Sequence, residues 1–326
     1  MVSLPSYSIA IRTLGTSGEV FRQELVSVYA QTLRPERVLV FIAEGYDRPA
    51  FTVGQEEYIW VPRGMVSQRA LHYDEVASDC ILMLDDDVVL APDSAEKMLR
   101  ALTGQGADCV GADVFRNHRM PLKVKLYAAL TNLVFPHRSR KWAFKVHRNG
   151  SFSYNIKPEK SFYRAQSCGG PVMLWRKESF LRLKMDVERW LDTLGYAYGE
   201  DLLETYKLHC NGGCLGVLYD AGITHLDARS SSGSFRKSAG HIYIRTKASF
   251  MIWWRTCYRT GKDTAWSRTL AALAFGFKTL WLFPVFCGAA LVKWDGRFLT
   301  LYGKGLRDGW KAVHSPAFRQ LPPYIA

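Results

Sequence analysis

Three consecutive aspartates, Asp85, Asp86 and Asp87, stand directly after the apolar run 80–84. Adjacent carboxylates at the end of a buried strand repel one another unless a cation or water compensates their charge. Mg²⁺ and Mn²⁺ prefer hard oxygen ligands, and Mg²⁺ usually binds one or two carboxylates together with substrate phosphates. The triplet therefore favours a divalent-metal site for a phosphorylated ligand, and a solvated turn before the next helix is the alternative.

Alternating strands and helices precede the triplet. Residues 6–11 and 38–42 are short apolar runs, and between them apolar residues recur at helical spacing from Glu19. A second helix is predicted over residues 66–77. This alternation predicts an α/β fold with a mostly parallel central sheet and helices on both faces. Because ligands bind at the carboxyl ends of such strands, Thr13, Glu44 and the aspartates are expected to share one crevice.

Two further acidic residues, Glu200 and Asp201, stand at the start of a predicted helix. A carboxylate placed there can take a proton from a weak nucleophile such as a hydroxyl group. The alternative is that both residues only favour the helix start through its dipole. Upstream, the paired glycines Gly169 and Gly170 permit a close backbone approach to a ligand, or else form an ordinary tight turn.

The composition limits the class of protein. With 326 residues and 48% hydrophobic content, the chain can bury a substantial core and is not expected to be disordered. Its net charge of +13 favours an anionic partner, such as nucleic acid, a phosphorylated substrate or an acidic membrane surface. The first twenty residues lack a signal-peptide pattern, so we expect a cytoplasmic location in which the seven cysteines are reduced.

Basic and apolar segments point to a membrane surface. Between Asp113 and Glu159 there is no acidic residue, and the basic residues alternate with apolar ones, which predicts an amphipathic interfacial helix. Nucleic acid is disfavoured because no recognised binding module accompanies the charge. The apolar run 269–292 is long enough to span a bilayer, but Lys278 and Pro284 interrupt it. A surface-embedded helical region is therefore favoured over a span.

The order of these motifs resembles family 2 of the glycosyltransferases, a group of inverting enzymes with the GT-A fold. The resemblance extends over about residues 6–250, which a single short motif would not do. The matching residues are Ser27–Leu33, Pro35, Val38–Val40, Arg69, Leu82–Asp87, Gly169, Gly170, Gly199–Asp201 and His225. Two departures concern the nucleoside contact: the usual Asp-Asp-Gly-Ser is replaced by Ala43–Tyr46, and Arg12 precedes Thr13 where a small residue or proline is usual.

The resemblance implies that a sugar passes from a nucleotide-diphosphate sugar to an acceptor hydroxyl with inversion. It assigns the residues as follows: Thr13, Glu44, Arg69, Asp85, Asp86, Gly169 and Gly170 to the nucleotide sugar, Asp87 and His225 to Mg²⁺ or Mn²⁺, and Asp201 to the catalytic base, with Glu200 next in line. The bound metal would offset the charge of the departing diphosphate.

The same resemblance implies the domain organisation. Residues 1–245 would form the GT-A catalytic domain, with a nucleotide-binding half (1–113), a basic amphipathic insertion (114–160) and an acceptor and catalytic half (161–245). Residues 246–326 would form a helical, membrane-associated region. The polar, basic stretch 229–238 could close over the diphosphate as a lid, and an exposed loop is the alternative.

The carboxyl-terminal segment 301–310 is similar to the tail of bacterial rhamnosyltransferase-like enzymes of surface-polysaccharide assembly. This similarity implies a lipid-linked glycan acceptor, carried on a polyprenyl diphosphate, and an enzyme on the inner face of the cell membrane.

Two other functions stay open from the sequence. A non-catalytic protein could keep the same fold and use its basic surface as an assembly platform on membranes. A sugar nucleotidyltransferase would share the α/β beginning, but it should carry a longer glycine-rich phosphate loop than Leu14–Gly18. Four separate motifs favour the glycosyltransferase over both.

Overall fold

The computed structural model describes residues 3–114, 122, 126, 129–131, 141–155, 157–195, 198–226 and 239–325. The predicted amphipathic insertion 114–160 falls partly outside these ranges, and the predicted lid 229–238 falls wholly outside them.

A sheet of ten strands forms the centre of the described fold, in the order β3-β2-β1-β4-β10-β6-β11-β9-β7-β8. Its strands are β1 (Tyr7–Thr13), β2 (Val38–Ala43), β3 (Glu57–Val61), β4 (Cys80–Asp85), β6 (Cys109–Ala112), β7 (Trp142–Val146), β8 (Phe152–Tyr154), β9 (Phe162–Ala165), β10 (Val172–Arg176) and β11 (Leu215–Leu218). Strands β3, β2, β1 and β4 are all parallel, and β10 then pairs antiparallel with both β4 and β6. The predicted α/β class with a mostly parallel sheet is confirmed.

The two faces of the sheet are covered by helices and by their loops. The helices are α1 (Gly18–Tyr29), α2 (Ser94–Gly104), α3 (Lys177–Arg182), α4 (Glu200–Cys210), α5 (Ala239–Trp253), α6 (Ala265–Lys293), α7 (Arg297–Val313) and α8 (Pro316–Arg319), with a 3₁₀ segment at Met185–Leu194 and a π turn at Trp254–Tyr258. Strands β1 and β2 are buried along their whole length, as continuous apolar runs in a covered parallel sheet should be.

A separate two-stranded ladder joins distant parts of the chain. Strand β5 (Val88–Leu90) follows the aspartate triplet, and β12 (Ile223–His225) pairs antiparallel with it. The register sets His225 opposite Val88. This pairing brings the histidine beside the last aspartate of the triplet.

The predicted helix over residues 66–77 is wrong, because the segment forms a series of turns. The Asp192 carboxylate accepts hydrogen bonds from the backbone N–H groups of Val66 and Ser67 at 2.9 Å each. Tyr73 has a positive φ of 52°, which a helix does not allow. Arg69 therefore lies in a turn that is held by a residue far along the chain.

The carboxyl-terminal helices pack on one another and on the sheet region. Trp253 of α5 stacks on Phe275 of α6 with ring centroids 4.1 Å apart, and Phe286 of α6 meets Tyr302 of α7 at 4.7 Å. The predicted division at residue 245 falls inside helix α5. Within the described ranges, α6 is the one helix long and apolar enough to cross a membrane.

Candidate functional site

Asp85, the last residue of β4, lies between two arginines. Its Oδ1 is 2.5 Å from Nε of Arg12 at the end of β1 and 2.9 Å from Nη2 of Arg69. Burial alone would raise the pKa of Asp85, but the two guanidinium groups lower it below its usual value. Asp85 is therefore an ionised carboxylate that fixes both arginines at the carboxyl ends of the parallel strands.

Asp86 is held by the loop after β1. Its Oδ2 accepts hydrogen bonds from the hydroxyl groups of Thr13 and Ser17, the second at 2.8 Å. Burial raises the pKa of Asp86, and the neighbouring Asp85 and Asp87 add to the effect, while the two hydroxyl groups oppose it. Thr13 therefore contacts the triplet, as predicted, and Asp86 holds the loop after β1 in place through its two hydrogen bonds.

The side chain of Asp87 lies beside the β5–β12 ladder. Its Oδ1 lies 3.0 Å from Nε2 of His225, and its backbone carbonyl accepts a hydrogen bond from the N–H of Leu226. A carboxylate oxygen and an imidazole nitrogen at this distance fit a shared divalent cation. In the described residues no group of three His, Cys, Asp or Glu side chains is arranged to hold a metal.

Glu200 and Asp201 begin helix α4, as predicted. Gly199 caps the helix with a positive φ of 80°, and Oε1 of Glu200 lies 3.2 Å from Nη2 of Arg12. Burial raises the pKa of Asp201 to about 7, and the charge of Glu200 adds to the effect. Arg12 thus joins the triplet to the start of α4, and Asp201 can exchange a proton near neutral pH.

A cavity of about 400 Å³ opens beside Asp201. Its walls come from the β7–β8 hairpin, the turn before β10, the start of α4 and helix α5. The lining residues that matter below are Phe144, Phe152, Tyr198, Asp201, His241 and Arg245. The cavity has the size and aromatic content of a small-ligand site.

Gly170 separates the two halves of the site. Its carbonyl accepts a hydrogen bond from Arg69, and a methyl group added at its Cα would lie 3.1 Å from Nη1 of Arg69 and 3.2 Å from Cβ of Asp201. Gly169, directly before it, is half-buried in the same turn. The absence of a side chain at Gly170 allows Arg69 and Asp201 to approach each other.

Comparison with known proteins gives structural matches only. No family model matches the sequence, and no curated protein matches it. The structure is similar to the crystal structure of GalNAc-T7 with UDP, GalNAc and Mn²⁺, with a TM-score of 0.50, 11% identity, 86% of this chain covered and 57% of that chain. A second match is the mannosyltransferase PcManGT from Pyrobaculum calidifontis in complex with GDP-Man and Mn²⁺, with a TM-score of 0.48 and 13% identity over 96% of this chain and 88% of that chain. The chain has the GT-A fold. It spans little more than half the length of GalNAc-T7.

Within this GT-A fold, one predicted residue stands apart from the cluster. Glu44 is exposed in the turn after β2, and its backbone N–H donates to the carbonyl of Val61. Among the side chains that the structure describes, that of Glu44 joins none of the hydrogen bonds around the triplet.

Two buried residues of the GT-A site were not assigned a role from the sequence. Arg12 was noted only as a departure from the usual pattern, although it bridges Asp85 and Glu200. Glu204 is 2% exposed, one turn beyond Glu200, and burial raises its pKa to about 7. Its position four residues after Glu200, on the same helix face, was a signal that could have drawn attention to it.

Proposed function

We propose that this protein is an inverting, metal-dependent glycosyltransferase of family 2 that transfers a sugar from a nucleotide-diphosphate sugar to an acceptor hydroxyl. The observation that carries the proposal is the bridge made by Arg12, which holds the aspartate triplet at one end and the start of α4 at the other. The bridge joins Asp85 and Glu200, so that the neighbouring Asp87, the proposed metal ligand, and Asp201, the proposed base, would lie on adjoining parts of one crevice.

On the donor side, Asp87 and His225 would hold Mg²⁺ or Mn²⁺. The bound metal would neutralise charge on the leaving diphosphate. Asp85 and Arg69 would face the ribose and phosphates, Thr13 and Asp86 would shape the loop around the nucleotide, and Gly169 and Gly170 would lie beneath the sugar. Glu44 at the neighbouring strand end remains the candidate for the base, in place of the usual aspartates.

On the acceptor side, Asp201 would accept the proton of the acceptor hydroxyl. As the proton leaves, the hydroxyl oxygen attacks the anomeric carbon, and the bond from that carbon to the diphosphate breaks with its electron pair going to the diphosphate. The pKa of about 7 suits this role, because a base that titrates near the working pH combines availability with strength. Glu200, paired with Arg12, would hold the guanidinium and would keep the pKa of Asp201 high.

A donor screen tests the proposal. Purified protein would be titrated by calorimetry with uridine, guanosine and thymidine diphosphate sugars, including a rhamnose donor, each with Mn²⁺, with Mg²⁺ and with chelator. We expect at least one donor to bind in the presence of metal and to lose most of its affinity in chelator. Binding of none of them in the presence of metal would contradict the proposed function.

Helix α6 supports a membrane location for this activity. Its buried positions include Phe275, Lys278 and Leu282, which face the protein, whereas Leu273, Phe277 and Leu280 are between 65% and 75% exposed. A helix that lies against its own protein with one apolar face outward fits the bilayer interface. We propose a peripheral or monotopic position on the inner face of the cell membrane, with a lipid-linked glycan as acceptor.

Binding to lipid vesicles tests whether the exposed apolar face of α6 contacts the membrane. The double substitution Leu273→Ser and Leu280→Ser should lower the partition onto phosphatidylglycerol vesicles at least about tenfold, because two large apolar side chains lose their burial in the interface. The matched control is Val26→Ser with Trp60→Ser, which replaces two exposed apolar residues on the nucleotide half. Equal losses in both variants, measured by co-sedimentation, would count against α6 as the membrane surface.

Gly170→Ala tests the contact between the two halves of the site. The added methyl group must displace Arg69 or Asp201, because both lie closer to it than ordinary van der Waals distance. We expect a loss of about 1–3 kcal/mol in the free energy of unfolding and a fall in transfer rate of about tenfold. Gly104→Ala, at the end of α2 with open space around its Cα, is the control and should lower neither quantity.

A further inference from the structure

Aromatic rings line the cavity beside Asp201. Phe144 and Phe152 line it from the β7–β8 hairpin, and Tyr198 lines it from the segment directly before α4. All three side chains are half-buried, so part of each ring is exposed inside the cavity. A ligand that covers these rings binds favourably, because it removes apolar surface from water. Partly exposed rings in one cavity therefore indicate a ligand-binding site.

The hairpin sets Phe144 and Phe152 side by side. Phe144 lies opposite Tyr154 in the antiparallel pairing of β7 with β8, and Phe152 is two residues before Tyr154 on β8. Opposite residues, and residues two apart on a strand, share one face. The two phenylalanine rings stack with their centroids 4.9 Å apart and their planes inclined by 21°. Because β8 is an edge strand, the backbone ladder presents this ring pair at the end of the sheet.

Tyr198 is fixed by helix α5. The side chains of Arg245 and Ser249 both form hydrogen bonds with its phenol group. The guanidinium carbon of Arg245 lies 5.5 Å from the centre of the tyrosine ring, within the range of a cation–π contact. The polar end of Tyr198 is therefore satisfied by the protein, and its ring is held in place as part of the cavity wall.

Polar groups line the same cavity. Glu200 and Asp201 contribute carboxyl groups, Ser167 a hydroxyl group and His241 an imidazole. A sugar ring carries hydroxyl groups around its edge, which hydrogen-bond with such side chains, and C–H groups on its faces, which pack against aromatic rings. A peptide with a serine or threonine hydroxyl brings no rigid apolar face. The lining therefore matches a sugar ring better than a peptide.

We infer that this cavity binds the terminal sugar ring of the acceptor, and that Phe144 and Phe152 select that ring by stacking against it. This inference rests on the proposed function and names the residues that recognise its acceptor. The C–H hydrogens of a sugar face carry a small positive charge and are attracted to the negative faces of aromatic rings. The reacting hydroxyl lies toward Asp201, and the donor lies on the Arg69 side of Gly170.

Binding of simple glycosides tests this site without sugar transfer. Saturation-transfer NMR would be recorded on the full chain with the methyl glycosides of rhamnose, glucose, galactose, mannose and N-acetylglucosamine, in chelator and without nucleotide. We expect at least one glycoside to bind, with the strongest saturation on its ring C–H protons, because these face the aromatic rings. Titration of that glycoside then gives its dissociation constant for the parent protein and for each variant.

The two phenylalanines are replaced one at a time. Phe144→Leu and Phe152→Leu should each weaken glycoside binding by about three- to tenfold, because leucine stays apolar but has no flat ring. Phe152→Tyr keeps the ring and should retain the binding, which separates stacking from a folding defect. The matched control is Tyr154→Leu, which removes a ring from the same face of the hairpin outside the cavity lining and should leave the affinity unchanged.

The outcomes separate this inference from the proposed function. Failure of every glycoside to bind the parent protein, or equal binding to the parent and to both leucine variants, would overturn the sugar site. Binding of a serine-containing peptide in place of the glycosides would overturn it in favour of a protein acceptor. Metal-dependent donor binding should be retained in both leucine variants. Donor binding without glycoside binding would leave the glycosyltransferase proposal intact, whereas ring-dependent glycoside binding without any donor would contradict that proposal and keep the sugar site.

Discussion

Asp87→Asn should reduce metal-dependent sugar transfer by at least about 100-fold, because a metal at a phosphoryl site contributes several kcal/mol to the transition state. Asn keeps the volume of the side chain but replaces one carboxylate oxygen by an amide and removes the negative charge. The loss should appear both in turnover and in the metal concentration that gives half-maximal activity. Steady-state kinetics over a range of Mn²⁺ concentrations measures both.

Asp93→Asn is a useful control for the Asp87 variant. Asp93 is a surface aspartate before α2, where it pairs with Lys97 at 2.9 Å, and the same substitution there should not alter metal dependence. His225→Ala should show a weaker form of the Asp87 defect, since it removes the second proposed ligand and keeps the carboxylate. Full activity of Asp87→Asn at low Mn²⁺ concentration would move the metal site away from this residue.

The sequence predicted several of the individual strands and helices. Apolar runs and helical spacing located β1, β2, β4, α1 and α4, because these signals depend on neighbours in the chain. The insertion of β10 between β4 and β6 could not be predicted, since it depends on pairing between residues about 60 to 100 positions apart. The segment 66–77 failed for a similar reason: the carboxylate of Asp192 holds its turns from 126 positions away.

In the candidate site, too, the individual residues could be predicted from the sequence, whereas the contacts between them could not. The carboxylates at the end of β4 and the start of α4 could be listed from the sequence because each follows a recognisable element. Their connection through Arg12 could not, because an arginine at the end of a buried strand reads equally well as a solvated residue. The contact of Asp87 with His225 likewise requires the β5–β12 ladder, whose three-residue strands pair across about 135 positions of the chain.

Asp201→Asn should abolish most transfer and retain donor binding. General-base catalysis contributes about 100-fold to 10,000-fold, and an amide cannot accept the proton. In the parent protein the rate should rise with pH up to about 7 and then level off, since Asp201 must be ionised to act. Glu200→Gln separates the two acids: by removing a neighbouring charge it should lower the pKa of Asp201 and shift this profile to lower pH.

Asp201→Asn should also raise the stability of the folded protein at alkaline pH, although it lowers the transfer rate. The pKa of Asp201 is raised to about 7 in the folded protein and is about 3.9 in an unfolded chain, so the folded state binds more protons between these values. The contribution of Asp201 to stability is therefore present below about pH 4 and is lost as the pH rises through about 7. Asp201→Asn removes this loss, and its free energy of unfolding relative to the parent should be higher at pH 8 than at pH 4 by about 1 kcal/mol or more.

Both the transfer rate and the free energy of unfolding must be measured to assign the catalytic base to Asp201. A protein that loses transfer and gains stability at pH 8 has lost an ionisable group held at a cost in the site, as expected of a catalytic base with a raised pKa. Loss of transfer together with loss of stability at both pH values would indicate damage to the start of α4 instead. An unchanged transfer rate in Asp201→Asn, with a large defect in Glu200→Gln, would move the base to Glu200.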